Sequence, residues 1–160
     1  MTLKEKGFTL IELMIAITVL GVSILALIQM QVAAINGNSS ANYMTTATTL
    51  AQDQIEQLNN LSFFDTALAD TNTGNNGALT NPPNAASFDQ TDPNNLNPVD
   101  AIDERGGTTG LRRYRRFWNI ADNTPIQGVK TVVVFVYWGT VDGDTGLTQH
   151  RVIMPTTIGQ

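Results

Sequence analysis

Residues 8–28 read Phe8-Thr9-Leu10-Ile11-Glu12-Leu13-Met14-Ile15-Ala16-Ile17-Thr18-Val19-Leu20-Gly21-Val22-Ser23-Ile24-Leu25-Ala26-Leu27-Ile28, and this stretch decides the fold. It contains one charged residue, Glu12, and no proline. A helix of about 20 apolar residues can cross the hydrocarbon core of a bilayer, where backbone groups pair only with one another. Lys4 and Lys6 precede it, and the positive-inside tendency keeps such an end cytoplasmic. The sequence therefore predicts a membrane-spanning helix, with the rest of the chain beyond the inner face of the membrane.

Glu12 is the residue in this stretch that the membrane disfavours. A carboxylate in an apolar helix costs about 2.5–3.5 kcal/mol at mid-bilayer and less near the surface, so an acid here indicates a function. A cut between Gly7 and Phe8 would create a free α-amine four positions before Glu12. Because an amine and a carboxylate attract each other strongly in a low dielectric, we expect Glu12 to pair with such an amine on a neighbouring chain.

The run Gly7-Phe8-Thr9-Leu10-Ile11-Glu12-Leu13-Met14 resembles the class III signal of type IV pilins and type II secretion pseudopilins. The resemblance implies that a prepilin peptidase cuts between Gly7 and Phe8 on the cytoplasmic side and then methylates the amine of Phe8. It implies that Glu12 aligns an incoming subunit with the amine of the previous one. It also implies an α+β fold, in which a long N-terminal α-helix, membrane-spanning in its first half and amphipathic in its second, packs on a small antiparallel β-sheet.

Three other interpretations of the apolar run compete with this one. An ordinary secretory signal also has a basic start and an apolar core, and Val32-Ala33-Ala34 could serve as its cleavage site. The run could instead be a plain signal anchor or the buried core helix of a soluble protein. The length of the run, the presence of Glu12 and its immediate start after Gly7 favour the pilin-type signal.

Composition bounds the function further. The chain has 160 residues, no cysteine and a formal charge of -5. It therefore has the size of one domain, it cannot form a disulfide, and its acidity disfavours general binding of nucleic acid. His150 is the only histidine, and no phosphate-binding loop is present. We therefore expect neither an enzyme nor a cofactor, and the resemblance implies instead a substrate of a peptidase and methyltransferase.

Five segments follow from the resemblance and from shifts in composition. The apolar pattern continues past residue 30 as an amphipathic stripe, and the weak helix formers of residues 36–40 predict a soft or bent place but not an end. The stripe comprises Met44, Ala47, Ala51, Ile55 and Leu58, with Leu50 and Leu61 beside it. The predicted segments are a cytoplasmic leader (1–7), a transmembrane and filament-core helix (8–30), the amphipathic half of that helix (31–61), an Asn-, Pro- and Gly-rich loop (62–110), and the sheet with a C-terminal tail (111–160).

The loop of residues 62–110 is long and carries many oxygen donors. These are Asp92, Asn94, Asn95, Asp100, Asp103 and Glu104. Calcium takes six to eight oxygen ligands, but the spacing fits no recognised calcium loop. We therefore predict solvated turns here and no metal site.

Three strands are predicted after this loop, at residues 111–120, 129–138 and 147–154. The second is rich in β-branched and aromatic residues and apolar on both faces, which predicts a central strand with one face against the helix. The acidic, glycine-containing residues 142–146 predict the turn of an antiparallel hairpin between the second and third strands. Pro155 is expected to limit or end the last strand.

The first predicted strand carries four arginines among aromatic residues: Arg112, Arg113, Arg115 and Arg116. Such a mixture suits single-stranded nucleic acid, but alternation along a strand would send Arg113 and Arg115 to one face and Arg112 and Arg116 to the other. The patch would then be split. Pairing with acidic groups of the loop or of neighbouring subunits is the favoured interpretation, and nucleic acid is not expected as a partner.

The resemblance favours a minor pilin, and the layout of helix and late apolar strand is most similar to the type IV pilus modification proteins of the PilV type. Gln29 stands where many members have proline, which favours a minor subunit or a pseudopilin. The implied partners are the prepilin peptidase and methyltransferase, other pilin subunits, the inner-membrane assembly platform and membrane lipid. The implied location is the bacterial inner membrane, with the head periplasmic, and then the pilus. A type II secretion pseudopilin and a membrane-anchored binding module for DNA or surfaces remain as alternatives.

Overall fold

The fold was analysed in a computed structural model. It describes residues 7–71, 73, 79–80, 90–91, 102–107, 109–139 and 150–160. Most of the predicted leader, four of the predicted oxygen donors (Asp92, Asn94, Asn95 and Asp100) and the predicted turn at residues 142–146 lie outside these ranges. The chain divides into two compact units, Met1–Ala41 and Asn42–Gln160.

One helix, α1, spans Leu10–Asn59 without interruption. It passes through residues 36–40, so the prediction that the weak helix formers would not end the helix is confirmed. In the first unit, its side chains are exposed throughout residues 10–35. By length and composition, this helix is apolar enough to cross a membrane, and none of its most apolar stretch is buried.

In the second unit, α1 buries a stripe that differs in part from the predicted one, and the predicted Ile55 and Leu61 pack partly buried against the same core. The buried residues are Ala47, Leu50, Ala51, Gln54 and Leu58. Met44 was predicted in this stripe but is 59% exposed, and the buried polar Gln54 takes a central place instead. The stripe therefore centres on the positions of Leu50 and Gln54, which lie one helical turn apart.

A short 3₁₀ turn, Thr66–Leu68, and an antiparallel sheet complete the second unit. Among the described residues the sheet has the order β1-β2-β3-β4. The strands are β1 (Gln90–Thr91), β2 (Tyr114–Asp122), β3 (Val129–Trp138) and β4 (His150–Gly159). The three long strands are confirmed, as is the antiparallel pairing of β3 with β4.

Three strand boundaries differ from the prediction, and one of them is the end of β2 at Asp122 instead of residue 120. β2 begins at Tyr114, which pairs with Trp138 of β3 and also forms an isolated bridge with Ile102. β4 extends to Gly159, so the expectation that Pro155 limits the strand was wrong. Because β4 is an edge strand in the described sheet, a residue there needs ladder hydrogen bonds on one side only, and proline is tolerated.

The central strand β3 is buried on both faces, as predicted. Its even-numbered residues Val132, Val134 and Val136 pack in one cluster with Leu50 and Leu58 of α1. Its odd-numbered residues pack in a second cluster on the opposite face, which comprises Val133, Phe135 and Tyr137 with Phe117 of β2, and Leu79 and Ile153 at its margin. The period of two along a strand thus serves two cores, and the chain has the α+β arrangement of a helix packed on a small antiparallel sheet.

Candidate functional site

The N-terminal end of α1 is fixed by a local motif. Residues Gly7, Phe8 and Thr9 lie outside the helix, which begins at Leu10. The backbone N–H of Glu12 donates to Thr9 Oγ1 over 3.3 Å, so Thr9 caps the helix. A Thr-x-x-Glu sequence is the signature of a capping box, and sequence reasoning had singled out Glu12 without noticing it. Glu12 also lies in the first turn, where the helix dipole favours a negative charge.

The capping motif places the predicted cleavage site in irregular backbone. The peptide between Gly7 and Phe8 precedes the first helical residue by two positions, so it takes no part in the hydrogen-bond ladder of α1. The Phe8 side chain is 86% exposed, and apart from the residues next to Gly7 in the chain, no described residue has an atom within 4 Å of where a Cβ at Gly7 would stand. A protease that binds extended backbone can therefore reach this bond without unwinding the helix.

The hydroxyl groups further along the apolar stretch are satisfied within the helix. Thr18 Oγ1 donates to Met14 O over 2.8 Å, and Ser23 Oγ donates to Val19 O over 2.7 Å. Such bonds to the carbonyl four residues earlier remove the hydroxyl donor from the lipid or protein surroundings. They allow polar residues in a segment that would otherwise need to be wholly apolar.

The four arginines do not form one surface. Arg115 and Arg116 are each only 5% exposed, whereas Arg112 and Arg113 lie before β2 and are exposed. Burial lowers the pKa of Arg115. Arg116 donates from Nη1 to Leu50 O of α1 over 3.1 Å. Two of the four guanidinium groups are thus withdrawn from any surface that could follow a phosphate backbone.

Arg113 does not lie on the face predicted for it. It was expected on the sheet face of Arg115, but its guanidinium donates to the Tyr43 hydroxyl of α1 and lies 5.5 Å from the centroid of that ring. Because the strand begins only at Tyr114, strand alternation does not govern Arg113. The side chain instead ties the segment before β2 to the first turns of α1 in the second unit.

Asp103 is held by the backbone of its own loop. Its Oδ1 accepts from the N–H groups of Arg105 and Gly107, and its Oδ2 accepts from the N–H of Gly110, each over 2.9 Å. The hydrogen bond from Gly107 is the main cause that lowers the pKa of Asp103, followed by the one from Arg105. Both carboxylate oxygens of Asp103, which the sequence analysis considered as a possible cation ligand, therefore hold a turn in place. Among the described residues, no cluster of metal-ligating side chains is present.

Residues 2–28 match the family described as Prokaryotic N-terminal methylation motif. The match covers the apolar stretch, the predicted cleavage site and Glu12. Together with the apolar helix, it supports a type IV pilin-like protein that carries a prepilin signal, a class that is typically structural and not enzymatic. The signal implies processing by a prepilin peptidase, assembly with other pilin subunits, and membrane anchoring before that assembly. No curated protein and no solved structure gives a significant match to the chain.

Proposed function

We propose that the chain is a minor pilin, a structural subunit that is inserted in a type IV pilus and primes or modifies its assembly. The observation that supports this most is the match of residues 2–28 to the methylation motif, with the Gly7–Phe8 bond just outside the helix. The arrangement of a helix on a small sheet with a late apolar strand, β3, favours the PilV type of minor pilin.

The mechanism follows the chemistry of the N-terminal segment. The precursor lies in the inner membrane with its leader in the cytoplasm and its head in the periplasm. The peptidase cuts between Gly7 and Phe8, and Phe8 receives a methyl group. Residues 8–30 then leave the bilayer and bundle as filament core, because their exposed apolar side chains find equivalent surroundings against neighbouring helices. Glu12 pairs with the amine of a neighbouring subunit.

Mass spectrometry and N-terminal sequencing of the protein from its native membrane test the processing. A chain that begins at Phe8 and carries one added methyl group supports the proposal. A chain that begins at Ile35 would mean an ordinary secreted protein, and the argument from Glu12 would fail. An uncut chain would mean a plain membrane anchor.

Replacing Glu12 tests the pairing step separately. Glu12→Ala should be processed and methylated like the wild type but should be depleted at least about tenfold from purified filaments, since one charge pair in a low dielectric exceeds 1.4 kcal/mol. Glu56→Ala provides the matched control, because Glu56 is exposed on α1 outside the apolar stretch. Normal incorporation of Glu12→Ala would refute the pairing.

Two alternatives have an observation in their favour. A type II secretion pseudopilin carries the same kind of N-terminal signal, and quantifying the subunit in sheared pili and in secretion pseudopili separates the two systems. A membrane-anchored binding module for DNA or surfaces is favoured by the exposure of Arg112 and Arg113. It predicts that replacing both by glutamine abolishes binding and leaves assembly intact.

A further inference from the structure

The second unit has exposed apolar side chains at two opposite ends. At the end where α1 enters the unit, Leu111 is 68% exposed, and the nearby Arg113 contacts Tyr43 of α1. At the other end, Phe64 is 78% exposed and Ile126 is 66% exposed. Strand β2 leads from the first end to the second, and its nine residues span about 30 Å. We call the Leu111 end the near end and the end with Phe64 and Ile126 the far end.

Contacts within the unit fix the apolar groups of the far end. The Phe64 ring packs edge-on against Phe63, with 5.3 Å between the ring centroids. The Phe63 ring centroid lies 5.0 Å from the ammonium group of Lys130, near the start of β3. Ile126 lies in the turn between β2 and β3, and its carbonyl accepts from the N–H of Val129. Because these groups are already ordered, a partner that binds them loses less conformational entropy than it would on a mobile loop.

The two ends have opposite excess charge among the described residues. At the far end acids are in excess, and the charged residues are Glu56, Asp65, Asp70, Asp122 and Lys130. At the near end cations are in excess, and the charged residues are Arg105, Arg112, Arg113, Arg151, Asp103 and Glu104. Charges that complement each other across a contact orient the partners and exclude wrong ones. A surface that fits the near end is therefore apolar and acidic, which describes the far end of the same chain.

We propose that the far end of one copy of this chain binds the near end of a second copy. Phe64 and Ile126 of one copy contact Leu111 of the next, and Arg112 faces the acids around Phe64. The contact joins two different surfaces and is therefore heterologous, so that a bound copy still presents its own far end and the contact can repeat along a row of subunits. This goes beyond the proposed minor-pilin function, because the head also associates with its own copies, and it does not depend on removal of the leader.

The chain contains no cysteine, so introduced thiols report the contact without background. Gln127→Cys places a thiol beside Ile126, and Thr109→Cys places one near Leu111, both at exposed positions. The two full-length variants are purified in detergent micelles, mixed and mildly oxidised. We expect a disulfide-linked dimer in the mixture and at least about fivefold less in either variant alone, because a heterologous contact does not bring two equal positions together. Gln52→Cys, at an exposed position in the middle part of α1, is the control and should not link to Thr109→Cys.

Substitutions added to the linked pair test the chemistry of the contact. Ile126→Asn removes an apolar side chain and Arg112→Glu reverses a charge, so each should lower the dimer yield by about fivefold, whereas Arg112→Lys should leave it unchanged. No dimer in the mixture, equal dimer in either variant alone, equal linking of Gln52→Cys, or an unchanged yield with Ile126→Asn or Arg112→Glu would each overturn the proposal. Since the unprocessed chain is used, a negative result is distinct from a failure of the processing test at Phe8.

Discussion

The loop around Asp103 makes a quantitative prediction from two glycines that touch the same carboxylate. A Cβ added at Gly110 would stand 2.9 Å from Asp103 Oδ2, closer than real Cβ atoms approach, and 3.1 Å from Asp103 Cβ, which is an unusually tight contact. A Cβ at Gly107 would stand 3.4 Å from the same Oδ2, which is ordinary contact. The carboxylate cannot swing away without losing hydrogen bonds from Arg105 and Gly107. Gly110→Ala must therefore displace this turn.

Such overpacking costs about 1–3 kcal/mol, whereas alanine in place of glycine at a compatible position stabilises by about 0.4–1 kcal/mol through the unfolded state. We therefore expect Gly110→Ala to lower the free energy of unfolding by about 1–2 kcal/mol and Gly107→Ala to leave it unchanged or raise it slightly. Urea titration of the full chain in mild detergent, followed by tryptophan fluorescence, measures both. Equal stability of the two variants, or a less stable Gly107→Ala, would refute the geometry of this loop.

Three further predictions concern the helix cap at Thr9, the core residue Leu50 and the carboxylate of Asp103. Thr9→Ala should destabilise the first turn of α1 by about 1 kcal/mol and speed amide hydrogen exchange there, while Thr18→Ala, whose hydroxyl bonds only to a carbonyl within the helix, should leave that turn unchanged. Leu50→Ala should cost about 2–5 kcal/mol of unfolding free energy, because the side chain is 1% exposed, and Met44→Ala, an exposed position, should cost little. The pKa of Asp103 is held below its ordinary 3.8, so its stabilising contribution is complete above that pH and is lost as the pH falls through the lowered value. Acid titration of Asp103→Asn should lack that loss.

The elements of this fold could be predicted because each carries a strong pattern. The apolar run and the amphipathic stripe predict one helix, and the β-branched run of Val129–Trp138 predicts a central strand. The centre of the helix stripe was harder to place. Met44 and Leu50 are both apolar in the sequence, and only the position of the sheet decides that Leu50 and the polar Gln54 face it.

The side-chain sites were harder to predict, since they depend on contacts between segments distant in sequence. Arg116 is tied to Leu50, and Arg113 to Tyr43, across 66 and 70 residues. The role of Asp103 depends on backbone N–H groups, which no residue type reveals. By contrast, the Thr9–Glu12 motif is local and was open to prediction from spacing alone.

The hydroxyl groups of α1 that donate to their own helix backbone affect which side chains could set the axial register between neighbouring helices. Thr18 and Ser23 direct their donors to their own backbone, and the hydroxyl of Thr9 accepts from Glu12 N. Of the polar side chains in residues 8–28, the carboxylate of Glu12 is then the strongest feature that distinguishes one axial position from another. If the chain assembles as proposed, the charge of Glu12 would set the axial position of a subunit relative to its neighbours.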